Sequence, residues 1–173
     1  MDVLEAIRER RSIRAFRPDP VPEELLRKLV EAGIWAPSGG NAQTWRFIII
    51  TDPARVKQVK MLSPGLSGDP PAIISICQDI EEAERKGSTL GRDVLTLMDS
   101  AMAAQNIMLA AWAEGIGTCV IRSFHPAGVQ KLLNLPRHIV PQLLLSVGWP
   151  HRIPRPPRRN FDVLWFQEYN ERE

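Results

Sequence analysis

Two stretches of the chain concentrate hydrogen-bond donors without supplying a nucleophile. Arg10, Arg11, Ser12 and Arg14 place three guanidinium groups and a hydroxyl within five positions. Such donors converge well on a phosphate, where each hydrogen bond to a charged group contributes roughly 1.5 to 3 kcal/mol. The plainer reading of the same residues is a basic helix terminus, favoured by the macrodipole. The second stretch, Pro37-Ser38-Gly39-Gly40-Asn41-Ala42-Gln43-Thr44-Trp45, has glycines that let a flat ligand approach the backbone. Its Ser38, Asn41 and Gln43 alternate donors and acceptors in a way that suits a heterocycle edge. As composition it is a polar turn. It is neither a Walker loop, since no Lys-Ser or Lys-Thr pair follows, nor G-x-G-x-x-G.

Other chemistries are poorly supplied. No Ser, His and Asp set stands in a recognisable motif, so no catalytic residue is assigned. His125 beside Pro126, His138 in a short loop and His151 in an arginine- and proline-rich run each read as surface or turn residues. Cys77 and Cys119 lie in the apolar runs AIISIC and GTCVIR without metal-ligand spacing. They read as reduced core residues of a cytoplasmic protein, and no metal site is expected. A formal net charge of +2 gives no drive onto nucleic acid or an anionic membrane, and no helix-turn-helix pattern is visible. Seventeen of the 22 basic residues are arginine, a bias suited to bidentate recognition of phosphate or carboxylate.

The elements that must hold these residues follow from periodicity. Val3, Leu4 and Ile7 predict a short amphipathic helix running into the basic cluster, and Pro22-Glu23-Glu24 starts a second helix whose buried face is Leu25, Leu26, Leu29 and Val30. Strands are expected at Trp45 to Ile50, Ala72 to Cys77, Gly117 to Ile121 and Leu143 to Val147, with short helices at Asp52-Pro53 and Val129 to Leu133. The longest helix is expected from Arg92 to Glu114, on the repeat Val94, Leu97, Met98, Ala101, Met102, Gln105, Leu109 and Trp112. Small and apolar residues occupy much of its circumference, which predicts burial on more than one side. Asp99, Gln105 and Asn106 interrupt the apolar stretch, so no membrane span is expected. A chain of 173 residues is read as a single domain over 1–173, with 150–173 as an extended C-terminal arm.

Taken together, RRSIRAF (Arg10 to Phe16) and APSGGNAQTW (Ala36 to Trp45), followed by GIGTCVIRSF (Gly115 to Phe124) and by VGWP with RPPRR (Val147 to Arg159), resemble the FMN-dependent nitroreductase family in its own order. The resemblance implies an α+β fold, a mixed sheet flanked by helices, in an intertwined homodimer that binds FMN at sites built from both chains. In that scheme Arg10, Arg11, Ser12 and Arg14 look like contacts of the ribityl phosphate and flavin pyrimidine, while Pro37, Ser38, Gly39, Asn41 and Gln43 look like the partner's contribution. Ile121, Arg122 and Ser123 would offer a backbone N–H to the flavin N5, and Arg158 with Arg159 would complete the phosphate pocket. NADH or NADPH is the implied reductant, and a nitroaromatic, quinone or similar small molecule the implied acceptor, served in ping-pong fashion.

Two positions depart from the family pattern. Thr44 stands where a proline often follows the glutamine of the second motif. Arg122 and Ser123 stand where two glycines are common, so a guanidinium either reaches the flavin and stabilises its anionic reduced form or turns outward and narrows the substrate space. A competing reading keeps the fold as a flavin- or nucleotide-binding module without turnover; a colourless protein that gains no blue-light absorbance with FMN favours the flavin-free, nucleotide-sensing form of it.

Overall fold

The computed structural model describes residues 1–156. Its helices are α1 (Val3–Glu9), α2 (Glu23–Ile34), α3 (Pro53–Met61), α4 (Ile80–Leu90), α5 (Thr96–Ala113) and α6 (Pro126–Leu132), and its strands are β1 (Trp45–Ile50), β2 (Ala72–Asp79), β3 (Gly117–Ile121) and β4 (Ile139–Gly148). The strands form one sheet in the order β1-β2-β4-β3. Every strand pair is antiparallel, so the parallel component of the expected mixed sheet reduces, among the described residues, to one bridge between Ser12 and Thr118.

Successive side chains of a strand point to opposite faces, and the core divides accordingly. Ile74, Ile76, Leu145 and Val147 pack with Leu26, Leu29 and Ile107 under α2 and α5. Ile73 and Leu144 face the other way, onto Val56, Val59 and Val129 of α3 and α6. The two central strands are therefore covered on both faces, which explains why AIISIC and LLLSV read as apolar runs interrupted only by Ser75 and Ser146. Burying each such Leu or Ile contributes roughly 1.5 to 3 kcal/mol.

The helix starts are chemically specified. Asp2, Asp52 and Asp79 each accept a backbone N–H three residues on. At α6 the cap is His125, whose Nδ1 accepts the Gly128 N–H at 2.9 Å. The Asp79-to-Glu82 spacing carries the signature of a capped helix, and α4 is the element missing from the periodicity reading; its apolar face is too short to show.

The long helix also begins later than expected. Residues Gly91–Leu95 form a π turn between α4 and α5, and Ser88 breaks the run with φ 57° and ψ −157°. Together Ile80–Ala113 has the length and apolar composition of a membrane span. Its packing assigns it to the core instead, since α5 lies against α2 and the sheet through Ala103, Ala104, Ile107 and Ala111. That buried stripe consists mostly of small residues. Of the residues that signalled the helix, Val94, Leu97, Met98, Ala101 and Gln105 are exposed, while Met102, Leu109 and Trp112 are half-buried.

Candidate functional site

After α1 the chain runs extended along the outer edge of β3. Ile13 donates its N–H to the Thr118 carbonyl at 2.9 Å, and its fully buried side chain fills the space above Gly117, where a Cβ would lie 2.7 Å from it. Alternation then sends Ser12 and Arg14 the other way. Ser12 and Arg10 are half-buried and Arg14 is exposed. Arg11 points inward with Ile13 and is only 7% exposed. Its Nη1 donates to the Arg8 and Arg10 carbonyls at 2.7 and 3.0 Å, so Arg11 neutralises the C-terminal end of α1. Of the four motif residues, Arg11 alone is buried and spends two of its donor hydrogen bonds on the end of α1, while Arg10, Ser12 and Arg14 are more accessible.

The third segment supplies β3, whose first residue, Gly117, pairs with Gly148 in the fourth segment and whose last, Ile121, pairs with Leu144. Ile121 is buried, Arg122 and Ser123 are exposed, and the Ser123 carbonyl accepts from Gly65 at 2.9 Å. The Arg122 guanidinium lies 5.8 Å from the centre of the Phe124 ring. Past β4 the chain pairs with residues 15–17: Arg17 donates to the Trp149 carbonyl and His151 to the Ala15 carbonyl, at 2.8 and 2.9 Å. Trp149 packs against the main core and donates its indole N–H to Pro20. A glycine with φ +76° at 68 lets the preceding loop pass directly over the Arg14 carbonyl, where any Cβ would collide. Arg158, Arg159 and most of the expected arm lie outside the described residues.

The Ser38 to Thr44 segment is built differently. Gly39–Asn41 makes a 3-10 turn, and Gly40, Asn41 and Gln43 have φ of 56°, 55° and 51°. Left-handed backbone at two non-glycine residues costs of order 1 to 3 kcal/mol each and persists where surrounding contacts over-determine it. Those contacts are present. Gln43 donates its N–H to Ser38 Oγ at 3.1 Å and its amide Nε2 to Asn41 Oδ1 at 2.7 Å. Lys86 Nζ donates to the Ala42 carbonyl at 2.7 Å. Gly39 donates its N–H to Asp99 Oδ1 at 3.1 Å. Asn41 and Gln43 remain exposed, presenting their amides at the surface.

Two residues of this environment were not anticipated. Asp99 is 2% exposed; burial pushes its carboxyl above the usual carboxylate range, opposed by the Gly39 N–H. Gln78, fully buried in β2, accepts from Thr44 Oγ1 at 2.7 Å and donates from Nε2 to Ser100 Oγ at 2.9 Å. Thr44 thus uses the hydroxyl that a proline lacks. The available signal was polarity on apolar elements: Asp99 and Ser100 in α5, Gln78 at the end of an isoleucine-rich strand.

The sheet register separates the two donor groups. Ser12 pairs beside Thr118, which pairs with Val147 at the end of β4; Trp45, the last residue of the second motif, pairs with Gln78, which pairs with Val140 at the beginning of β4. The motifs therefore occupy opposite ends and opposite edges of the sheet. From strand spacing and rise, the diagonal is on the order of 25 Å. A cavity of about 760 Å³ between Pro18, Pro20, Val56, Lys57 and Met61 contains neither motif.

The sequence matches the model of the nitroreductase family over residues 7–67 and 54–149. It is 30% identical over 181 residues to a Rhodospirillum rubrum 5,6-dimethylbenzimidazole synthase, covering 88% of this chain and 86% of that one. It is 27% identical over 181 residues to a Bacillus subtilis FMN reductase (NADPH), covering 91% and 71%. Among solved structures, an FMN-dependent nitroreductase from Clostridium difficile R20291 superposes with a TM-score of 0.81 at 22% identity, over 96% of this chain and 99% of that one, a likeness of fold. The chain belongs to the nitroreductase family and is an α+β oxidoreductase of that family.

Proposed function

We propose that the protein is an NAD(P)H-dependent FMN oxidoreductase acting as a cytoplasmic homodimer, each flavin held between the β3 corner of one chain and the Ser38 to Gln43 turn of its partner. The diagonal placement of the two donor groups carries this reading. A single flavin cannot bridge it within one chain, whereas two chains related by a twofold axis would bring one corner of each together twice. The exposed apolar residues Val94 of the π turn and Leu97, Met98 and Ala101 of α5, with Val3, Leu4 and Ile7 on α1, supply surface for such an interface. An intertwined dimer should bury upwards of roughly 2,000 Å².

The donor set fits FMN. Arg10, Ser12 and Arg14 offer charged and hydroxyl donors to a phosphate, and Arg158 with Arg159 would add to them. The left-handed turn presents the Asn41 and Gln43 amides, suited to the donor and acceptor edge of a pyrimidine ring. When bound, FMN would supply the redox chemistry, taking a hydride from NADH or NADPH and then passing electrons to a nitroaromatic, quinone or similar acceptor by a ping-pong mechanism. The chain's own share is binding and orientation: the β3 exit at Ile121, Arg122 and Ser123 holds one side of the ring, and the buried contacts under Thr44 and Gly39 fix the other. No side chain is assigned as acid, base or nucleophile.

Loading the purified protein with FMN tests this reading. Blue-light absorbance that elutes with a dimer and bleaches anaerobically with NADH or NADPH is the expected result. A colourless protein that gains no absorbance, or an FMN-loaded monomer by light scattering, would overturn it.

A further inference from the structure

We propose that Asp99 and Thr44 are positioning residues that fasten the two ends of the Gly39 to Gln43 turn onto α5, presetting its left-handed backbone before any cofactor arrives. The inference rests on reading that turn as a flavin contact.

At the first end, Asp99 is nearly inaccessible and makes no ion pair among the described residues. A buried carboxylate without a cation is costly, and an apolar residue would fill this helix position at lower cost. Its described partner is the backbone N–H of Gly39, 60 positions away in sequence, and a charged acceptor holds such a donor more strongly than a neutral one. At the second end, the Thr44 hydroxyl enters a buried chain. Thr44 Oγ1 donates to Gln78, Gln78 donates to Ser100, and Ser100 Oγ donates to the Thr96 carbonyl at 2.7 Å. Asp99 and Ser100 are consecutive residues of one rigid helix, so both ends of the turn are referred to the same turn of α5.

Between those anchors stand the three residues with positive φ. Released from them, Asn41 and Gln43 would relax toward ordinary backbone and their amides would lose a fixed direction. An ordered turn binds a flat ligand without paying for its ordering at that moment, which is how a residue with no ligand contact can alter affinity. Thr44, where the family resemblance implies a proline, gains a second function on this account: the hydroxyl supplies through a hydrogen bond the restraint that a proline ring would impose on the chain.

Amide hydrogen exchange across residues 39–44 in FMN-free protein, together with FMN affinity by fluorescence quenching, tests the proposal on Asp99→Leu, Asp99→Asn and Thr44→Val. Asp99→Leu should accelerate exchange of the Gly39 amide by about tenfold or more and weaken FMN binding by about tenfold. Asp99→Asn retains an acceptor oxygen and should stay within about threefold of the parent on both readouts, a rescue that simple loss of packing would not produce. Thr44→Val keeps shape and removes the hydroxyl; it should loosen residues 42–44 even if Asp99→Leu fails to fold. Unchanged exchange in a folded Asp99→Leu or Thr44→Val protein, or an Asp99→Asn protein as impaired as Asp99→Leu, would overturn the proposal. The exchange arm needs no cofactor, so a parent protein that bound no FMN would contradict the flavin reading while the anchoring was still decided.

Discussion

The guanidinium of Arg122 rests 5.8 Å from the centre of the Phe124 ring, two positions along the same exit from β3. Phe124 is itself buried at 8% exposure, so the cation sits on the outer face of a core side chain. In the free chain the charge is therefore held close to the strand end by its own neighbour. On the proposed dimer it lies beside the flavin. Removing a nearby positive charge disfavours electron uptake, so Arg122→Gly should lower the midpoint potential of bound FMN while leaving FMN affinity within about threefold. An unchanged potential, with bulkier acceptors newly reduced, would assign Arg122 a purely steric role.

Arg10 and Arg17 lie seven positions apart, and the account gives them different tasks. Arg10→Ala should weaken FMN binding by at least about tenfold, equivalent to 1.4 kcal/mol. Arg17 lies 5.7 Å from the Trp149 ring centre, and Arg17→Ala should change FMN affinity far less. Titration of FMN fluorescence decides between them; equal losses would mean that only overall charge matters.

How much of this was legible in sequence differs from element to element. β1, α2 and the site motifs were visible because their signals are local: a β-branched run, a Pro-Glu-Glu start, a string of small and polar residues. α5 was visible through a repeat whose Leu97, Met98 and Ala101 face outward and whose Met102, Leu109 and Trp112 are only half-buried, while Ala103, Ala104, Ile107 and Ala111 form the buried stripe. Periodicity reports that a face exists and not which partner covers it. The links from Gly39 to Asp99 and from Thr44 to Gln78 join residues far apart in sequence, and no spacing rule announces them. Arg11 shows the converse: its neighbours carry the family resemblance, while its inward direction follows from alternation with Ile13 along the β3 edge.

Burial sets the chemistry of Cys77. It is fully inaccessible, and burial pushes its thiol up to about 11, partly opposed by Ser75. The thiol therefore remains protonated at pH 8, and Cys119 is buried as well. Iodoacetamide at pH 8 should label neither cysteine in the native protein and both after denaturation. Rapid native labelling of Cys77 would contradict the packing of β2.

The raised carboxyl of Asp99 has a defined consequence for stability. The folded chain holds this proton more tightly than the unfolded one, whose carboxyl titrates near 3.8. Asp99 therefore contributes most below that value, and its contribution falls as pH rises through the higher folded-state value. Melting temperatures of the parent and the Asp99→Asn variant, compared from pH 7 down to pH 4, should shift in favour of the parent as the solution is acidified. A difference independent of pH would place the Asp99 proton equally in both states.

The central claim, that each flavin site takes one motif from each chain, is tested most directly by complementation. One chain carries Arg10→Ala; the other carries Asn41→Gly and Gln43→Gly, which remove both amides while suiting the left-handed backbone. Each variant alone should bind FMN poorly. Heterodimers isolated through two different affinity tags should bind about one FMN per dimer, because one of the two sites then receives an intact motif from each chain. Heterodimers that bind no more FMN than the separate variants would contradict the account and place both motifs in one chain's site.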